Sequence, residues 1–544
     1  MSICFDKDSF LFYVENTKEN KQIIEKLKYN KYWTSEENRY YTYSPITAKY
    51  FYGYCNDEAK KAILNFINSD AVSTKTMNTT QIYNPLINEN IRNYQKVAVN
   101  YILNNKNILL ADEMGLGKTA EIITSMCIYA KMNKENLYHA IIVCPAHLKN
   151  VWINEIMSFA TISFFIKKYN GFSRSEQVKF DINTKKTFFV NIINYDILTE
   201  RLIEIKNCKY DFIIFDESHY LKSLKSDRTK SAYKLMKLRK NKKSKVIFSS
   251  GTPITKSPID LFPALNMVEH PIAQNWYYYA VKFCDAKKEK KAGRSVWVFG
   301  TSKANRLNSI LRMSCMIRRT KDMVLKELPE KNRQIISLEA DEVFKELIDE
   351  EVEALRYEKI NIEDFEKKDI NIPLTKKLAE IRCKIALKKA PHLAKIVNDI
   401  LESTDDKIII FAYHKIIIDK IQEIFNCEKI YGETPHEDRE EIIKRFQRDK
   451  EKRILVASYL CMGTGITLTE ANYAIFAELD YIPSNISQAE DRIYRIGQEK
   501  KTYIYYVVVE KTLEHYIAKK MLNRQSDINK VLDSMKVKNG YLKK

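Results

Sequence analysis

Between about Ile91 and His270, short apolar runs alternate with longer amphipathic stretches. The runs are NILLA (107–111), AIIVCP (140–145), TFFVNIINY (187–195), DFIIFDE (211–217) and KVIFSSGTP (245–253). Unbroken apolar runs of this length suit strands covered on both faces, and helices between them predict a parallel sheet in an α/β domain. The pattern returns in KIIIFAYH (407–414), RILVAS (453–458), YAIFAELD (473–480) and TYIYYVVV (502–509), which predicts a second block of the same class. The stretch between the blocks, about 271–390, is charged and mostly helical in pattern. Within it Phe344, Ile348, Val352 and Leu355 recur at helical spacing and predict one amphipathic helix. The first 85 residues are Tyr-rich and of mixed pattern. The expected divisions are therefore 1–85, a small accessory domain; 86–270, a first α/β lobe; 271–390, a helical insert; and 391–544, a second lobe.

Composition narrows the class. With 544 residues, 45% hydrophobic and 11% aromatic, the chain can bury several cores, which excludes global disorder. Gly and Pro, 12 of each, are too few for flexible or proline-rich linkers, and no solenoid repeat is visible. No run approaches the ~18 apolar residues that span a bilayer. The start, MSICFDKDSFLFYVEN, sets Asp6 and Asp8 among its apolar residues without a basic leader, so no secretory signal is expected. Ten cysteines lie scattered with no CxxC and no histidine at metal spacing. Reduced thiols in a soluble intracellular protein are expected, with no structural metal and no membrane partner. Lys+Arg 90 against Asp+Glu 70 gives a net charge of +20. Basic surface attracts phosphates, so a polyanion partner is one reading. A codon bias that enriches Lys, Asn, Ile and Tyr is the other, and charge alone leaves both open.

The chemistry begins where NILLA runs into DEMGLGKT (112–119) and then the helical pattern AEIITSMCIYA. A phosphate-binding loop needs glycines so that backbone N–H groups approach the oxygens, and a helix N-terminus behind it. It also needs Lys118 for the β and γ phosphates and Thr119 for Mg²⁺. The generic motif has Gly six residues before the lysine, where this chain has Asp112. DFIIFDESH supplies a buried strand ending in Asp216 and Glu217, one carboxylate to hold Mg²⁺ and a second to orient the attacking water. SGTP (250–253) follows the next strand. Together these predict an NTP hydrolase. In the second block, QAEDRIYRIGQ (488–498) sets Arg492 and Arg495 three apart, on one face of a predicted helix. Such arginines suit a finger that stabilises charge on a transferring phosphoryl group, or a solvated helix face.

In this order, the motifs resemble those of superfamily-two helicases, and closely the Snf-type DNA translocases that include chromatin remodellers. They are IRNYQ (91–95), DEMGLGKT, CPAHLKNVW (144–152), DESH, SGTP, IIIFAYHK (408–415), GTGITLTEAN (463–472) and QAEDRIYRIGQ. CMIRRTKDMVLKELPEK (315–331) is similar to that family's linker between lobes, and FAELDYIPSNISQAEDRIYRIGQ (476–498) most resembles the annealing-helicase (HARP-like) subgroup with its bacterial and phage relatives. KYWTSEENRYYTYSPITAKYFYGY (31–54) faintly resembles the small domain that precedes the motor there. The resemblance implies two RecA-like parallel-sheet lobes with a helical insert between them and a small N-terminal accessory domain. It also implies a role for each matching residue. Gln95, with Arg92, would contact adenine and so select ATP. Met114, Gly115, Leu116, Gly117, Lys118 and Thr119 would cradle phosphates and Mg²⁺. Asp216 would anchor the metal, and Glu217 would position water. His219, Ser250 and Thr252 would couple hydrolysis to movement. Gly463, Thr464 and Gly465 would sense nucleotide and DNA backbone, with Gln488 beside the fingers Arg492 and Arg495.

The expected activity is a DNA-dependent ATPase, a translocase using ATP and Mg²⁺ at the lobe interface to step along double-stranded or forked DNA, remodelling DNA structures or a DNA-bound protein partner. An RNA or RNA-polymerase remodeller would use the same engine on another track, and a non-hydrolysing DNA-binding scaffold is the third reading. Lys149, Asn150, Ser458 and Thr464 are candidate backbone contacts. The basic run KKEKKAGR (287–294) lies between Tyr277–Tyr279 and Trp297 and is either solvated or touches the duplex. Trp33, Tyr40, Tyr41 and Tyr43 suit the core of a small domain or a platform for exposed bases. KVKNGYLKK (536–544) reads as a frayed tail, and no nuclease or histone-reading module is expected after the motor. Cytoplasm or nucleoid would be the location in a bacterium or phage, and nucleus or viral factory otherwise.

Overall fold

The computed structural model describes residues 2–519 except 8, 28–32, 37–38, 70–89, 172–174, 183, 242, 256, 292–293, 359–374, 460, 462–466 and 481–482. The chain divides into two compact units, one reaching Val324 and the next beginning at Leu325.

The first unit opens on an antiparallel sheet of β1 (Cys4–Asp6), β2 (Leu11–Glu15), β3 (Thr34–Glu36) and β4 (Arg39–Thr42), ordered β1-β2-β4-β3. The helix Asp57–Asn68 follows, with the Asn56 side chain accepting the Ala59 N–H at 2.8 Å as its N-terminal cap. This helix packs on the helix Ala304–Ser314, where Asn65 donates to the Met313 carbonyl at 3.0 Å and Arg312 to the Ser69 hydroxyl at 3.1 Å. Phe10 stacks on His270 with ring centroids 5.3 Å apart. Ile3, Phe12 and Val14 share one continuous core with Ile141, Phe215 and Phe248, so the small sheet is built into the first unit. Trp33 is buried there, edge-on to Phe51 at 6.0 Å, and Tyr43 carries the Arg306 guanidinium 4.0 Å above its ring. Of the aromatic residues at 33–43, Trp33 is core rather than platform.

The main sheet of this unit contains β5 (Asn107–Leu110), β6 (Leu137–Cys144), β7 (Ser163–Lys168), β8 (Glu176–Phe180), β9 (Thr187–Asn194), β10 (Phe212–Asp216) and β11 (Lys245–Ser249). After a separate antiparallel ribbon, β12 (Lys287–Lys291) and β13 (Arg294–Val298), the short β14 (Met316–Ile317) returns to it. The order is β14-β5-β11-β10-β6-β9-β7-β8, parallel throughout except for the β7–β8 hairpin at one edge. Every residue of β10 and β11 is buried, as a strand covered on both faces requires.

The second unit holds an all-parallel sheet of β15 (Lys331–Leu338), β16 (Lys407–Ala412), β17 (Glu428–Ile430), β18 (Ile454–Ser458), β19 (Ala471–Phe476) and β20 (Thr502–Val509), ordered β15-β20-β19-β16-β18-β17. All nine apolar runs thus form sheet strands, in two parallel-sheet α/β units. The middle stretch is less uniformly helical than its pattern predicts. Lys287–Lys291 and Arg294 of the run KKEKKAGR belong to a β-ribbon, and β15 enters the second sheet as an edge strand, whose exposed polar positions weaken its signal. The amphipathic helix is present as Glu342–Tyr357, but its buried face runs through Phe344, Leu347, Glu351, Ala354 and Leu355. An acid occupies a core position there, and Val352 is only half-buried. Among the described residues no helix is long and apolar enough to cross a membrane.

Candidate active site

Strands β5, β11 and β10 are neighbours, and their register pairs Leu110 with Ser249 and Ser249 with Asp216. All three end level, so the loops that follow them emerge together at the carboxyl edge of a parallel sheet, where α/β folds place ligands. These loops are 112–117, the turn from Glu217 onward, and 250–253.

In the first loop Gly115 and Gly117 have φ of +81° and +82°, left-handed backbone that glycine adopts readily, just before the helix Lys118–Met132. A Cβ on Gly117 would also strike the Gln95 amide. Gln95 accepts the Arg92 N–H at 2.9 Å and donates to the Leu116 carbonyl at 3.1 Å, while the Tyr94 hydroxyl donates to the same carbonyl at 2.9 Å. Met114 and Leu116 are buried, so what they present to a ligand is backbone. The Lys118 ammonium donates to the Asp112 carbonyl at 2.9 Å, and Thr119 is half-buried one residue into the helix.

Asp112, at the generic glycine position, has a structural task. It is fully buried and bonded twice to the guanidinium of Arg319, itself fully buried, and its Oδ1 also accepts the Arg319 N–H at 2.7 Å. Arg319 reaches Glu121 at 3.0 Å and the Tyr94 carbonyl. Burial pushes the Glu121 carboxyl well up despite the arginine. Around it, the Glu113 N–H donates to the Arg319 carbonyl at 2.9 Å, the Lys321 N–H to Glu113 at 2.7 Å, and the Arg318 guanidinium to the Ala111 carbonyl at 2.6 Å. The segment after β14 thereby clamps the phosphate-type loop from beneath.

Asp216 and Glu217 are both buried, and Glu217 sits in left-handed backbone at φ +49°. Asp216 Oδ2 accepts the Trp152 indole N–H at 2.9 Å, and its carbonyl accepts the Tyr195 hydroxyl at 2.8 Å. Glu217 Oε2 accepts the Ser250 hydroxyl at 3.0 Å, and the His219 Nδ1 lies 3.2 Å from the same oxygen and 3.1 Å from Ser250 Oγ. Burial, then the neighbouring Glu217, pushes Asp216 up to about 6. Burial acts on Glu217 too, but His219, Lys118 and Ser250 outweigh it and hold it at about 2. Thr252 Oγ1 is shielded from solvent with no hydrogen-bond partner among the described residues. Close by, a Cβ on Gly251 would run into Met114, so the third loop presses directly on the first. The groups fit a magnesium nucleotide. There are a helix N-terminus, an ammonium, a spare hydroxyl, and oxygen ligands for a hard cation in Thr119 and Asp216.

In the second unit the helix Pro483–Glu490 carries Gln488, half-buried, but ends before the two arginines. Arg492, buried, and Arg495, half-buried, lie in a tight turn instead of on a helix face. The Arg492 and Ile493 N–H groups bond three residues back, and Gly497 at φ +97° reverses the chain. The Gln498 amide pins the turn to the Ala471 and Ile493 carbonyls at 2.9 and 3.1 Å. Its base is fixed by Glu490, which takes Lys331 at 2.5 Å, Arg333 at 2.7 Å and the Tyr506 hydroxyl. Burial would raise Glu490, but those two cations outweigh it and hold it at about 2. At the carboxyl ends of β16 and β19, buried Glu478 accepts the Tyr413 and His414 N–H groups at 2.8 and 2.9 Å and His414 Nδ1 at 2.6 Å. Gly463, Thr464 and Gly465 lie outside the described residues. Sequence reasoning assigned no role to Trp152, Arg319 or Glu478, although each lies inside a motif it quoted, CPAHLKNVW, CMIRRTKDMVLKELPEK and FAELDYIPSNISQAEDRIYRIGQ.

The SNF2-related domain family matches residues 94–399, and the helicase conserved C-terminal domain matches residues 388–497. The chain is 33% identical over 445 residues to the Caenorhabditis elegans homolog of SWI/SNF-related matrix-associated actin-dependent regulator of chromatin subfamily A-like protein 1, covering 80% of this chain and 60% of the relative. It is 29% identical over 447 residues to the human DNA annealing helicase and endonuclease ZRANB3, covering 80% and 40%. It thus spans between about two fifths and three fifths of these relatives' lengths. Among solved structures, the Sulfolobus solfataricus SWI2/SNF2 ATPase core in complex with dsDNA is similar at 23% identity, covering 84% of this chain and 95% of that one, with a TM-score of 0.39.

Proposed function

The chain belongs to the SNF2-related family of helicase-like ATPases, and from that premise we propose that it is an ATP-dependent translocase on double-stranded DNA. Its work would be remodelling DNA structures, annealing at forks and junctions, or displacing DNA-bound proteins. The observation that carries this reading is the geometry around Glu217. A buried, ionised carboxylate is aimed by Ser250 and His219, beside Asp216 and level with the glycine loop. Ser250 and His219 hold that carboxylate in one orientation, so its role is to orient the attacking water and shape the local field. Lys118 and the N–H groups of the loop bind the phosphates, and Thr119 and Asp216 hold Mg²⁺, which neutralises phosphate charge when bound. Gln95 and Arg92 face the base. Ser250, Thr252 and His219 connect the carboxylate to the loop that presses on Met114, a direct route from hydrolysis to backbone movement. In the second unit, Arg492 and Arg495 act as fingers, with Gln488 and residues 463–465 as nucleotide and track sensors. Similarity to proteins named annealing helicases supports a DNA track and fork or junction substrates.

The test is ATP hydrolysis by the full chain with no nucleic acid, blunt duplex, forked DNA, single-stranded DNA and RNA. Stimulation by duplex, and most by forks, is expected. Stimulation by RNA alone would replace the track, and no turnover with any of them would leave a scaffold. Lys118→Ala and Glu217→Gln should each lower kcat by about 10²-fold or more. Glu217→Gln should keep nucleotide affinity, because the loop and metal ligand survive. Arg495→Ala should lower kcat more than affinity; normal turnover would remove the finger assignment.

A further inference from the structure

The ribbon β12–β13 is part of the first unit but of neither large sheet. A lone two-stranded ribbon is marginal in water, and this one is rooted by aromatic packing. Trp297 meets Trp276 edge-on at 5.3 Å and Tyr277 at 6.0 Å, and Phe299 packs against Trp276 at 6.4 Å. Trp276 and Tyr277 open the helix Trp276–Phe283, so ribbon and helix form one platform. On it Tyr277 is 62% exposed, and its neighbour Tyr278 is 42% exposed, unusual for two adjacent large side chains. Between Lys282 and Arg294 the chain carries six basic residues against two acids, and Lys288, opposite Trp297 in the ribbon, sets its ammonium 5.2 Å from that ring.

Lysines on an exposed ribbon edge discourage strand pairing, which accounts for the charge but not for the bare tyrosines. Flat rings beside a run of ammonium groups match a polyanion that also offers unstacked π faces. Duplex DNA offers the charge alone, since its bases are stacked inside, whereas a single strand offers both. We propose that the Tyr277–Tyr278 platform with the Lys287–Lys288 strand is a second DNA contact, binding the single-stranded segment next to the duplex at a fork or junction. The inference rests on the DNA-translocase reading and adds to it the surface that distinguishes a branched substrate from plain duplex.

The experiment compares binding, by fluorescence anisotropy without nucleotide, of a fork with single-stranded arms, a blunt duplex and a single strand to the full chain and its variants. Tyr277→Ala/Tyr278→Ala should lose about tenfold or more in affinity for fork and single strand, hold its affinity for blunt duplex, and retain duplex-stimulated turnover. Tyr277→Phe/Tyr278→Phe should restore the loss, which a folding defect would not allow. Lys287→Ala/Lys288→Ala should flatten the salt dependence of fork binding by a slope of about one to two. Unchanged fork affinity in the tyrosine variant overturns the proposal, and an equal loss on blunt duplex reassigns the platform to the duplex track. Absence of duplex-stimulated turnover in the unaltered chain would sink the translocase reading instead, leaving the single-strand measurement to judge the platform.

Discussion

Arg319 and Asp112 show how a departure from a motif becomes intelligible at the level of single side chains. A glycine at 112 would take the paired carboxylate and its hydrogen bonds away from a fully buried guanidinium. Removing one member of a buried ion pair is costly because the other stays behind uncompensated, by roughly 3–5 kcal/mol. Arg319→Ala and Asp112→Asn should therefore each lower stability in a denaturant titration by about that much, and lower ATP affinity because the loop's floor is lost. Asp112→Asn with unchanged unfolding and unchanged ATP binding would count against the clamp. Replacing both residues by apolar ones of similar volume should restore much of the stability but not the placement of the loop.

At the scale of elements, the buried Glu351 makes the helix Glu342–Tyr357 sensitive to pH. It accepts the Leu513 N–H at 2.8 Å and lies near Glu514, which binds Lys389 at 2.7 Å. Burial raises Glu351 to about 7, helped by Glu514 and opposed by the Leu513 N–H, Arg382 and Lys389. Its folded value lies above the unfolded 4.5, so its favourable contribution is full below 4.5 and lost as pH rises through about 7. The difference amounts to about 3 kcal/mol. Glu351→Gln, which mimics the protonated form, should match the parent near pH 4.5 and be more stable at pH 8, as read by thermal unfolding; a variant weaker at both pH values would sink this. The same helix shows what was legible in the chain. Continuous apolar runs mark buried parallel strands because both faces are covered, and the glycine loop announces itself through residue types that backbone geometry demands. Glu351 was not legible, since its neighbours on Leu513 and Lys389 come from distant sequence. Nor was β15, an edge strand with half its positions in water. The arginine pair looked helical by spacing, but the pull of Lys331 and Arg333 on Glu490 and the turn at Gly497 end the helix first.

For the whole molecule, the main lesson is where the boundaries fall. The small N-terminal sheet shares a core with the nucleotide-type loop's own unit through Phe10 on His270 and the helix Asp57–Asn68 on Ala304–Ser314. Burial holds His270 down at about 4, and its ring bonds Ser314 at 2.8 Å. Deleting residues 1–69 should expose that surface and lower the unfolding temperature of the ATP-binding unit by several degrees or more. An unchanged midpoint would show that the sheet is a mere attachment. The clamp on the loop has a consequence of another kind. Position 319 stands 207 residues from 112 and 198 from 121, yet its side chain bonds both in a place water does not reach. Such positions are inherited as a set: among descendants of this sequence, a glycine at 112 should arise only in lineages that have already given up the arginine at 319.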